Sequence, residues 1–344
     1  MAVWLAPLVA FLIAVWACGR FLDQASPFHL LDHPNERSLH SSPVPRSGGL
    51  GVLAGGMVGG GVLWWGLDLS LAGLPWGVLA AGALLASVGL LDDLRDLNPL
   101  PRLLAHLLAA GAVAWSGLTP ATLHWPGGGW PLPEWLAMAL TLPLVVWMIN
   151  LYNFMDGMDG LAGGMALFGF STLALLGWLH DGPAFMAVNW LIAAAAAGFL
   201  VWNLPPARIF LGDAGSSLLG FMVAVAALWG EIGGWAPLWA SLLLFSPFWV
   251  DATYTLLRRM ARREPWWRPH RTHLYQRLVQ GGWGHRRTLT AAYGLMTALA
   301  LSTLLAVALL PAAGQWALLL LWCGGYVMLI GLLERRLPLG AGPA

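Results

Sequence analysis

The sequence predicts an all-α fold, a polytopic bundle of transmembrane helices. Of the 344 residues, 58% are hydrophobic and only 10% are charged, and the mean hydropathy is +0.70. The apolar residues form long continuous runs, whereas the strands of a membrane β-barrel would show short segments of alternating hydrophobicity. A helical span needs about 20 apolar residues, and on that measure we predict about eleven spans.

The candidate spans follow one another along the whole chain. They cover residues 3–21, 48–67, 74–91, 103–118, 135–151, 161–179, 186–204, 214–231, 236–257, 288–310 and 315–333. No soluble segment separates them, so a single domain is predicted over residues 1–344. The first run has its first charge, Arg20, at its far end, which favours a retained span over a cleaved signal peptide.

The distribution of arginine predicts the orientation in the membrane. The chain has no Lys, and its 17 basic residues are all Arg. If the N-terminus lies outside, every Arg falls on the inner side, and the outer connections hold none; these lie near 68–74, 118–134, 180–185, 232–235 and 311–314. Cytoplasmic connections carry an excess of basic residues. We therefore predict an external N-terminus and a cytoplasmic C-terminus.

The polar stretch at residues 150–164 interrupts the apolar sequence. Asn150, Asn153, Asp156 and Asp159 recur at intervals of three, and a glycine after each acid lets the backbone turn sharply. Polar groups at the end of a membrane helix are costly unless they have partners. We predict that these residues hold a metal ion and a phosphorylated substrate at the membrane surface. The alternative is a polar turn between two spans.

A second acidic cluster ends the third span. Asp92 and Asp96 share a helix face at a spacing of four, and Asp93 pairs with Asp96 at a spacing of three. Carboxylates this close repel one another unless a cation or a proton intervenes. Mg²⁺ prefers one or two carboxylates together with substrate phosphates. The alternative, a simple charge cluster at a helix end, is weakened by its position on the side where Arg is favoured.

Two further acids have two interpretations each. Asp213 lies between Gly212 and Gly215 just before a span, where it is either the N-cap of the helix or part of a phosphate site. Asp251 lies within the ninth candidate span. An ionisable group at that depth is either functional or a buried, hydrogen-bonded acid.

Two basic connections complete the predicted inner face. In residues 32–49, Arg37, His40 and Arg46 either bind anions or form an ordinary cytoplasmic loop. Residues 258–287 form the longest polar connection. Its segment His270-Arg271-Thr272-His273 has the chemistry to bind a pyrophosphate, and the arginines around it have the chemistry to anchor the loop at an anionic membrane surface.

Together these motifs resemble the polyprenyl-phosphate N-acetylhexosamine-1-phosphate transferases of bacterial membranes. The motifs are D-D-x-x-D at 92–96, N-x-x-N-x-x-D-G-x-D-G at 150–160 and G-D-x-G-S at 212–216. Each alone is weak, but their order at predicted cytoplasmic helix ends is specific. With the flanking loops, the resemblance covers residues 32–273.

The flanking loops resemble one branch of that family. The segment P-N-x-R-S-x-H-x-x-P-x-P-R-x-G-G at 34–49 is similar to the branch that initiates O-antigen and teichoic acid. The peptidoglycan branch carries a basic residue where Asp96 stands and adjacent histidines where this chain has residues 270–273, which argues against a muramoyl-pentapeptide substrate. The form H-R-T-H-x-Y-Q is most similar to enzymes that transfer modified amino sugars such as N-acetylfucosamine or N-acetylquinovosamine.

The resemblance implies a reaction and its reactants. UDP-N-acetylhexosamine and undecaprenyl phosphate would give undecaprenyl-diphosphate-sugar and UMP, on the cytoplasmic face of the bacterial inner membrane. This is the initiating step of O-antigen or a related cell-envelope polysaccharide. The implied cofactor is Mg²⁺, with Mn²⁺ as a substitute. A homodimer is compatible with the resemblance, and no nucleic-acid partner is expected.

The resemblance also implies roles for individual residues. The implied catalytic residues are Asp92, Asp93, Asp156 and Asp213, and of these Asp213, Asp92 and Asp156 are the implied metal ligands. The implied substrate-binding residues are Arg37, Arg46, Asp96, Asn150, Asn153, Asp159, His270, Arg271 and His273. One acid of the pair Asp92 and Asp93 is a candidate base for the lipid phosphate. A one-step transfer and a route through a phospho-aspartate both stay open.

Two other classes of protein are alternatives. A lipid transporter or flippase would use intramembrane acids as ion-coupling sites, but most acids here cluster at one predicted face rather than at the midplane. A Mg²⁺-dependent membrane prenyltransferase would also bind a diphosphate through acidic helix ends. It would not need the basic loops at 32–49 and 270–273.

Overall fold

The computed structural model describes residues 2–34, 39, 42–67, 75–265 and 270–337, and it confirms an all-α membrane bundle. Its helices are α1 (Ala2–Phe21), α2 (Gly48–Leu67), α3 (Trp76–Arg95), α4 (Pro99–Trp115), α5 (Glu134–Phe154), α6 (Leu161–Leu179), α7 (Pro183–Asn203), α8 (Gly212–Gly233), α9 (Leu238–Leu244), α10 (Ser246–Ala261), α11 (Leu274–Leu278), α12 (Gly284–Leu309) and α13 (Ala312–Arg336). A π-helical turn, Val279–Trp283, joins α11 to α12. Two short antiparallel hairpins pair β1 (Leu31–Asp32) with β2 (Val44–Pro45) and β3 (Thr122–Trp125) with β4 (Gly128–Pro131).

The described residues contain nine or ten spans, one or two fewer than the eleven predicted. Within the described residues, nine helical segments are long and apolar enough to cross a membrane, and α9 with α10 makes a tenth if the pair is one span. The predicted span at 103–118 corresponds to α4, which has 17 residues. At 1.5 Å per residue α4 is about 26 Å long, which is shorter than a hydrocarbon core of about 30 Å.

The predicted span at 236–257 is not one straight helix. α9 and α10 meet at Phe245 and are bent by 77°. Pro247 lies in the first turn of α10, where it has no backbone N–H to donate and its ring excludes a continuous helix. The Ser246 hydroxyl donates to the Leu243 carbonyl oxygen at 2.6 Å and lies 2.6 Å from the Tyr326 hydroxyl, so the polar groups at the break have partners.

The beginning of α8 touches α2 and α3 at backbone distance. A Cβ atom on Gly49 would lie 2.3 Å from Gly215 Cα, and one on Gly89 would lie 2.5 Å from Ala214 Cα. Only glycine therefore fits at these two contacts. They fix the first turn of α8 against the beginning of α2 and the last turns of α3.

The helix ends form two layers, and the described parts of the predicted inner stretches all lie in one of them. This polar end contains the beginnings of α2, α4, α6, α8 and α12 and the ends of α3, α5, α7 and α10. Asp213 in the first turn of α8 marks it, and Glu231 in the last turn marks the opposite end, about 27 Å away by helical rise. The assignment of the polar end to the cytoplasm stays a prediction.

A buried carboxylate also connects structural elements at the opposite end of the helix bundle. Glu231 is buried and accepts hydrogen bonds from the backbone N–H groups of His124, at 2.7 Å, and Leu238. The ring Nδ1 of His124 lies 2.8 Å from the same carboxylate. Glu231 therefore ties the β3–β4 hairpin to the connection between α8 and α9.

The last helix, α13, packs differently from the others. None of its side chains is buried. Its indole N–H groups at Trp316 and Trp322 donate to Pro126 O and Ser302 Oγ at 3.0 and 3.1 Å. At the polar end, Glu334 accepts from Arg258 at 3.0 Å and from Arg277. Half-buried apolar side chains such as Leu318, Leu319 and Leu333, together with these polar contacts, hold α13 to the bundle.

Candidate active site

Asp93 connects the end of α3 to the beginning of α8. Its two carboxylate oxygens accept the backbone N–H groups of Asp213 at 2.9 Å and Ala214 at 3.1 Å, and its side chain is buried. The first N–H groups of a helix have no partner within it, so Asp93 caps α8 from another helix. The interpretation of Asp213 as the N-cap is therefore wrong: the N-cap residue is Leu211, and Asp213 lies in the first turn.

The carboxylate of Asp213 faces the end of α5. Asn153 Nδ2 donates to Asp213 Oδ1 and lies 3.0 Å from Ser216 Oγ. Asn153 therefore joins two of the predicted motifs, and it orients one oxygen of Asp213. Asn150 lies almost one turn earlier on α5 and faces α4 instead, where its Nδ2 donates to Val146 O at 2.7 Å and lies 3.1 Å from His106 Nδ1. The four residues spaced by three do not form one row.

Asp92 lies beside this centre, but its carboxylate is paired with the guanidinium group of Arg102. Its Oδ2 accepts from Arg102 Nη1 at 2.6 Å, and its Oδ1 accepts the backbone N–H of Leu97 at 2.7 Å. Arg102 was not among the residues predicted for the site. The sequence does indicate that Arg102 is close to Asp92: only three residues separate α3 from α4, so the first turn of α4 lies beside the acids at the end of α3.

Arg46 reaches the same centre from the loop before α2. Its Nη2 donates to the Asp93 carbonyl oxygen at 2.6 Å and lies 3.7 Å from Asp96 Oδ1, and its Nη1 lies 3.8 Å from Asp32 Oδ1. Asp96 follows the last turn of α3 and its side chain is exposed. Arg37 and His40 lie outside the described residues.

Asp156 is the acid of the centre that has no donor. Its carboxylate accepts no hydrogen bond from the part of the chain that the structure describes. Burial raises its pKa well above the ordinary value, and the carboxylates of Asp213, Asp93 and Asp32 raise it further. A like-charged, desolvated carboxylate of this kind favours a bound cation or a proton.

Asp159 lies on the other side of the turn and has donors. Its Oδ2 accepts the backbone N–H of Ala207 at 3.0 Å, and its Oδ1 lies 3.2 Å from His285 Nδ1. Burial alone would raise the pKa of Asp159, but His285 and the Ala207 N–H outweigh it and hold the pKa below the ordinary value. His285 was not predicted, because nothing in its local sequence indicates that α12 begins beside Asp159.

A cleft of about 660 Å³ opens next to Asp159. Phe210 and the segment 205–207 form one wall, and the beginning of α12 forms the other. That second wall carries His285, Arg286 and Arg287, so the cleft is lined by basic side chains as well as by Asp159. The walls come from elements far apart in sequence, which is why sequence patterns did not predict the cleft.

The segment 270–273 also lies at the polar end. His273 is buried, with its ring 6.2 Å from that of Phe154 at the end of α5, and Arg271 is exposed. The His270 ring lies 4.9 Å from the His273 ring. Burial, together with the positive charges of His273, Arg259 and Arg258, lowers the pKa of His270 to about 3. At neutral pH His270 is therefore a neutral imidazole, whereas Arg271 carries a positive charge.

The fold and these residues define a polytopic membrane protein with an acidic centre at one end of its helices and a basic cleft beside it. Residues 75–231, from the beginning of α3 to the end of α8, match the model of glycosyl transferase family 4. That range contains Asp92, Asp93, Asn153, Asp156 and Asp213. Two motif regions of the centre, the loop with Arg46 and the segment 270–273, lie outside it.

Individual relatives cover more of the chain. The decaprenyl-phosphate N-acetylglucosaminephosphotransferase of Mycobacterium leprae is 33% identical over 318 residues, which span 83% of this chain and 79% of the relative. The probable undecaprenyl-phosphate N-acetylglucosaminyl 1-phosphate transferase of Bacillus subtilis is 31% identical, over 76% of this chain and 73% of the relative. A phospho-N-acetylmuramoyl-pentapeptide-transferase of Synechococcus is 30% identical, over 81% and 82%. The chain belongs to glycosyl transferase family 4, and it is a sugar-phosphate transferase.

Proposed function

We propose that the protein transfers an N-acetylhexosamine-1-phosphate from a UDP-sugar to undecaprenyl phosphate. The products are undecaprenyl-diphosphate-sugar and UMP. The observation that carries the proposal is the convergence of Asp93, Asn153, Asp156 and Asp213 beside a basic cleft. The two relatives that are named as N-acetylglucosamine-phosphate transferases act on polyprenyl phosphates, which supports this pair of substrates.

The chemistry is a displacement at phosphorus. An oxygen of the lipid phosphate attacks the sugar-bearing phosphorus of the donor, a P–O bond forms, and the bond to the bridging oxygen breaks as UMP leaves with the bonding electrons. The main barrier is the approach of two anions, so positioned positive charge is the principal requirement. Arg46 and the arginines of the cleft supply part of it. Because the lipid phosphate is already ionised at neutral pH, positioning matters more than a base.

The donor set fits a Mg²⁺ ion that is shared with substrate phosphates. In the described residues no three His, Cys, Asp or Glu side chains converge as a complete metal site, and Mg²⁺ normally takes only one or two carboxylates with water and phosphate oxygens. Asp156 and Asp213 would hold it, because each has a carboxylate oxygen to which no described residue donates a hydrogen bond, whereas both oxygens of Asp92 accept one. Mg²⁺, or Mn²⁺ in its place, would neutralise charge on the donor phosphates.

The cleft beside Asp159 is the proposed binding site for the nucleotide. Asp159 and the wall at Phe210 would orient the uridine part, and Arg271 with the neutral His270 would contact the diphosphate. The two acids at Asp92 and Asp93 have structural partners in the fold. Neither is therefore our candidate for a base; Asp93 instead holds Asp213 in place, and Asp92 holds Arg102.

The cellular setting belongs to the same proposal. The enzyme acts in the bacterial inner membrane with its polar end in the cytoplasm, where UDP-sugars are made, and the polyprenyl tail lies between helices in the bilayer. The pathway is the initiation of O-antigen or a related envelope polysaccharide. N-acetylglucosamine is the first sugar to test because the relatives carry its name, and the H-R-T-H segment favours modified amino sugars as the next. A homodimer is compatible with this function.

The test is UMP release by the purified protein in detergent with undecaprenyl phosphate, Mg²⁺ and a panel of UDP-N-acetylhexosamines. We expect release that requires the lipid, the metal and one sugar. A transporter would release no UMP, and a prenyltransferase would release inorganic diphosphate from a prenyl diphosphate instead. Folded protein that releases no UMP with any sugar of the panel would contradict the proposal.

A further inference from the structure

Asp251 is a buried acid that the proposed reaction does not use. Its side chain, in α10, is 7% exposed. Asp251 Oδ1 accepts the backbone N–H of Leu274 at 2.8 Å and the hydroxyl of Thr255 at 3.1 Å. Asp251 Oδ2 accepts the backbone N–H of Tyr275 at 3.1 Å. A buried carboxylate is stable only when its oxygens have donors, and here both oxygens do.

The two backbone donors are the N–H groups of the first two residues of α11, directly after the segment 270–273. The first N–H groups of a helix have no partner within that helix. Asp251 provides these partners from α10, although it lies 23 residues before Leu274 in the sequence. Arg258, two turns further along α10, donates to the Thr272 carbonyl oxygen at 3.0 Å. The segment is therefore held at its last residues by two side chains of α10.

The start of α11 in turn touches the acidic centre. The Tyr275 hydroxyl donates to the Phe154 carbonyl oxygen at 3.2 Å, and a Cβ atom on Gly157 would lie 2.3 Å from that hydroxyl. The His273 ring lies 6.2 Å from the ring of Phe154 and 5.9 Å from that of Tyr275, and its Nδ1 is 3.4 Å from Asp251 Oδ1. Phe154 and Gly157 flank Asp156. Displacement of α11 would therefore separate the segment 270–273 from the acidic centre.

We propose that Asp251 is a positioning residue that holds the segment 270–273 against the acidic centre, in the arrangement that binds the diphosphate of the donor nucleotide. The inference rests on the proposed function for its binding part. A carboxylate is required because two backbone N–H groups and one hydroxyl point at it. An amide has only one acceptor oxygen, and its N–H₂ group would face a backbone N–H.

Asp251→Asn tests this role, with Asp251→Glu as the conservative variant. We expect the KM for the UDP-sugar to rise about tenfold in Asp251→Asn, the size of one lost buried hydrogen bond, while the KM for undecaprenyl phosphate stays within about twofold. The affinity for UDP alone should fall by the same factor. Asp251→Glu keeps two acceptor oxygens and should recover most of the donor affinity.

Glu231→Gln is the matched control. Glu231 is also a buried carboxylate that accepts backbone N–H groups from another element, but it lies at the opposite end of α8. Both substitutions remove the same kind of hydrogen bond and should lower the Tm. Only Asp251→Asn should change the KM for the donor. If a general loss of stability caused the change in KM, the KM for the donor would rise in both variants.

Hydrogen exchange separates this inference from the proposed function. The peptide that covers 270–278 should exchange faster in Asp251→Asn than in the wild type and in Glu231→Gln, whether or not the protein releases UMP. Unchanged exchange in that peptide would overturn the inference, and so would equal increases in the KM for both substrates. Absence of UMP release by the wild type, with faster exchange in Asp251→Asn, would contradict the proposed function and leave the positional role of Asp251 intact.

Discussion

Asp93 accepts the backbone N–H of Asp213 at 2.9 Å, so the acid at the end of α3 fixes the position of the acid at the beginning of α8. The contact joins two motifs that lie far apart in the sequence. It also separates two roles that the sequence assigned together. Both oxygens of Asp93 accept backbone N–H groups, whereas within the described residues Asp213 accepts only the Asn153 amide at one oxygen.

Asp93→Asn should therefore act on both stability and activity. One of the two α8 N–H groups loses its acceptor, which should cost about 1–3 kcal/mol in the free energy of unfolding. The displacement of Asp213 should lower UMP release about 100-fold, as expected for a misplacement of about 1 Å. Thermal unfolding in detergent and the UMP assay measure the two effects. Asp23→Asn, at an exposed acid after α1, is the control and should change neither.

Asp156→Asn should separate function from stability. The carboxylate is half-buried near other acids and has no hydrogen-bond donor among the described residues, so the amide removes repulsion and the Tm should stay equal or rise. UMP release should fall at least about 100-fold. Added Mg²⁺ should raise the Tm of the wild type by more than that of the variant. Equal stabilisation of both proteins by Mg²⁺ would exclude Asp156 as a ligand.

Gly89→Ala should displace the first turn of α8. A Cβ atom at this position would lie 2.5 Å from Ala214 Cα, so the backbones of α3 and α8 must separate. Overpacking of this kind costs about 1–3 kcal/mol, and UMP release should fall because Asp213 moves with α8. Gly111→Ala in α4 is the matched control, because its Cβ atom would meet no atom within 4 Å. Wild-type activity in Gly89→Ala would contradict the rigid contact described here.

The stability of the turn at Asp159 should depend on pH in the acid range. The pKa of Asp159 is lower in the folded protein than its ordinary value of about 3.9, so its contribution is fully present above pH 4 and is lost as the pH falls through the folded value. The Tm of the wild type should therefore decline more steeply below pH 4 than that of Asp159→Asn. Parallel curves for the two proteins would show that Asp159 has no shifted pKa.

Much of the helical bundle could be predicted from the sequence because each span must be apolar over its whole length. The acidic centre could be predicted in part, because Asp93, Asn153, Asp156 and Asp213 lie at helix ends that alternate between the two faces. The break at Phe245 could not, because Pro247 is also compatible with the start of a helix. The partners of Asp251 and the contact of His285 with Asp159 depend on where α10, α11 and α12 lie in space. No local sequence pattern predicts where these three helices lie relative to one another.

Helix α13 is the part of this enzyme where we expect most substitutions between apolar residues to be tolerated. Because none of its side chains is buried, most of its positions are constrained only by the solubility of an apolar residue in lipid. At the exposed positions of α13, exchange among Leu, Val, Ile and Met has little packing to disturb. The exceptions are the anchoring contacts at Trp316, Trp322, Tyr326 and Glu334. Among relatives, sequence identity should therefore be lower along this helix than in the rest of the chain, while the residues at those four positions should be retained.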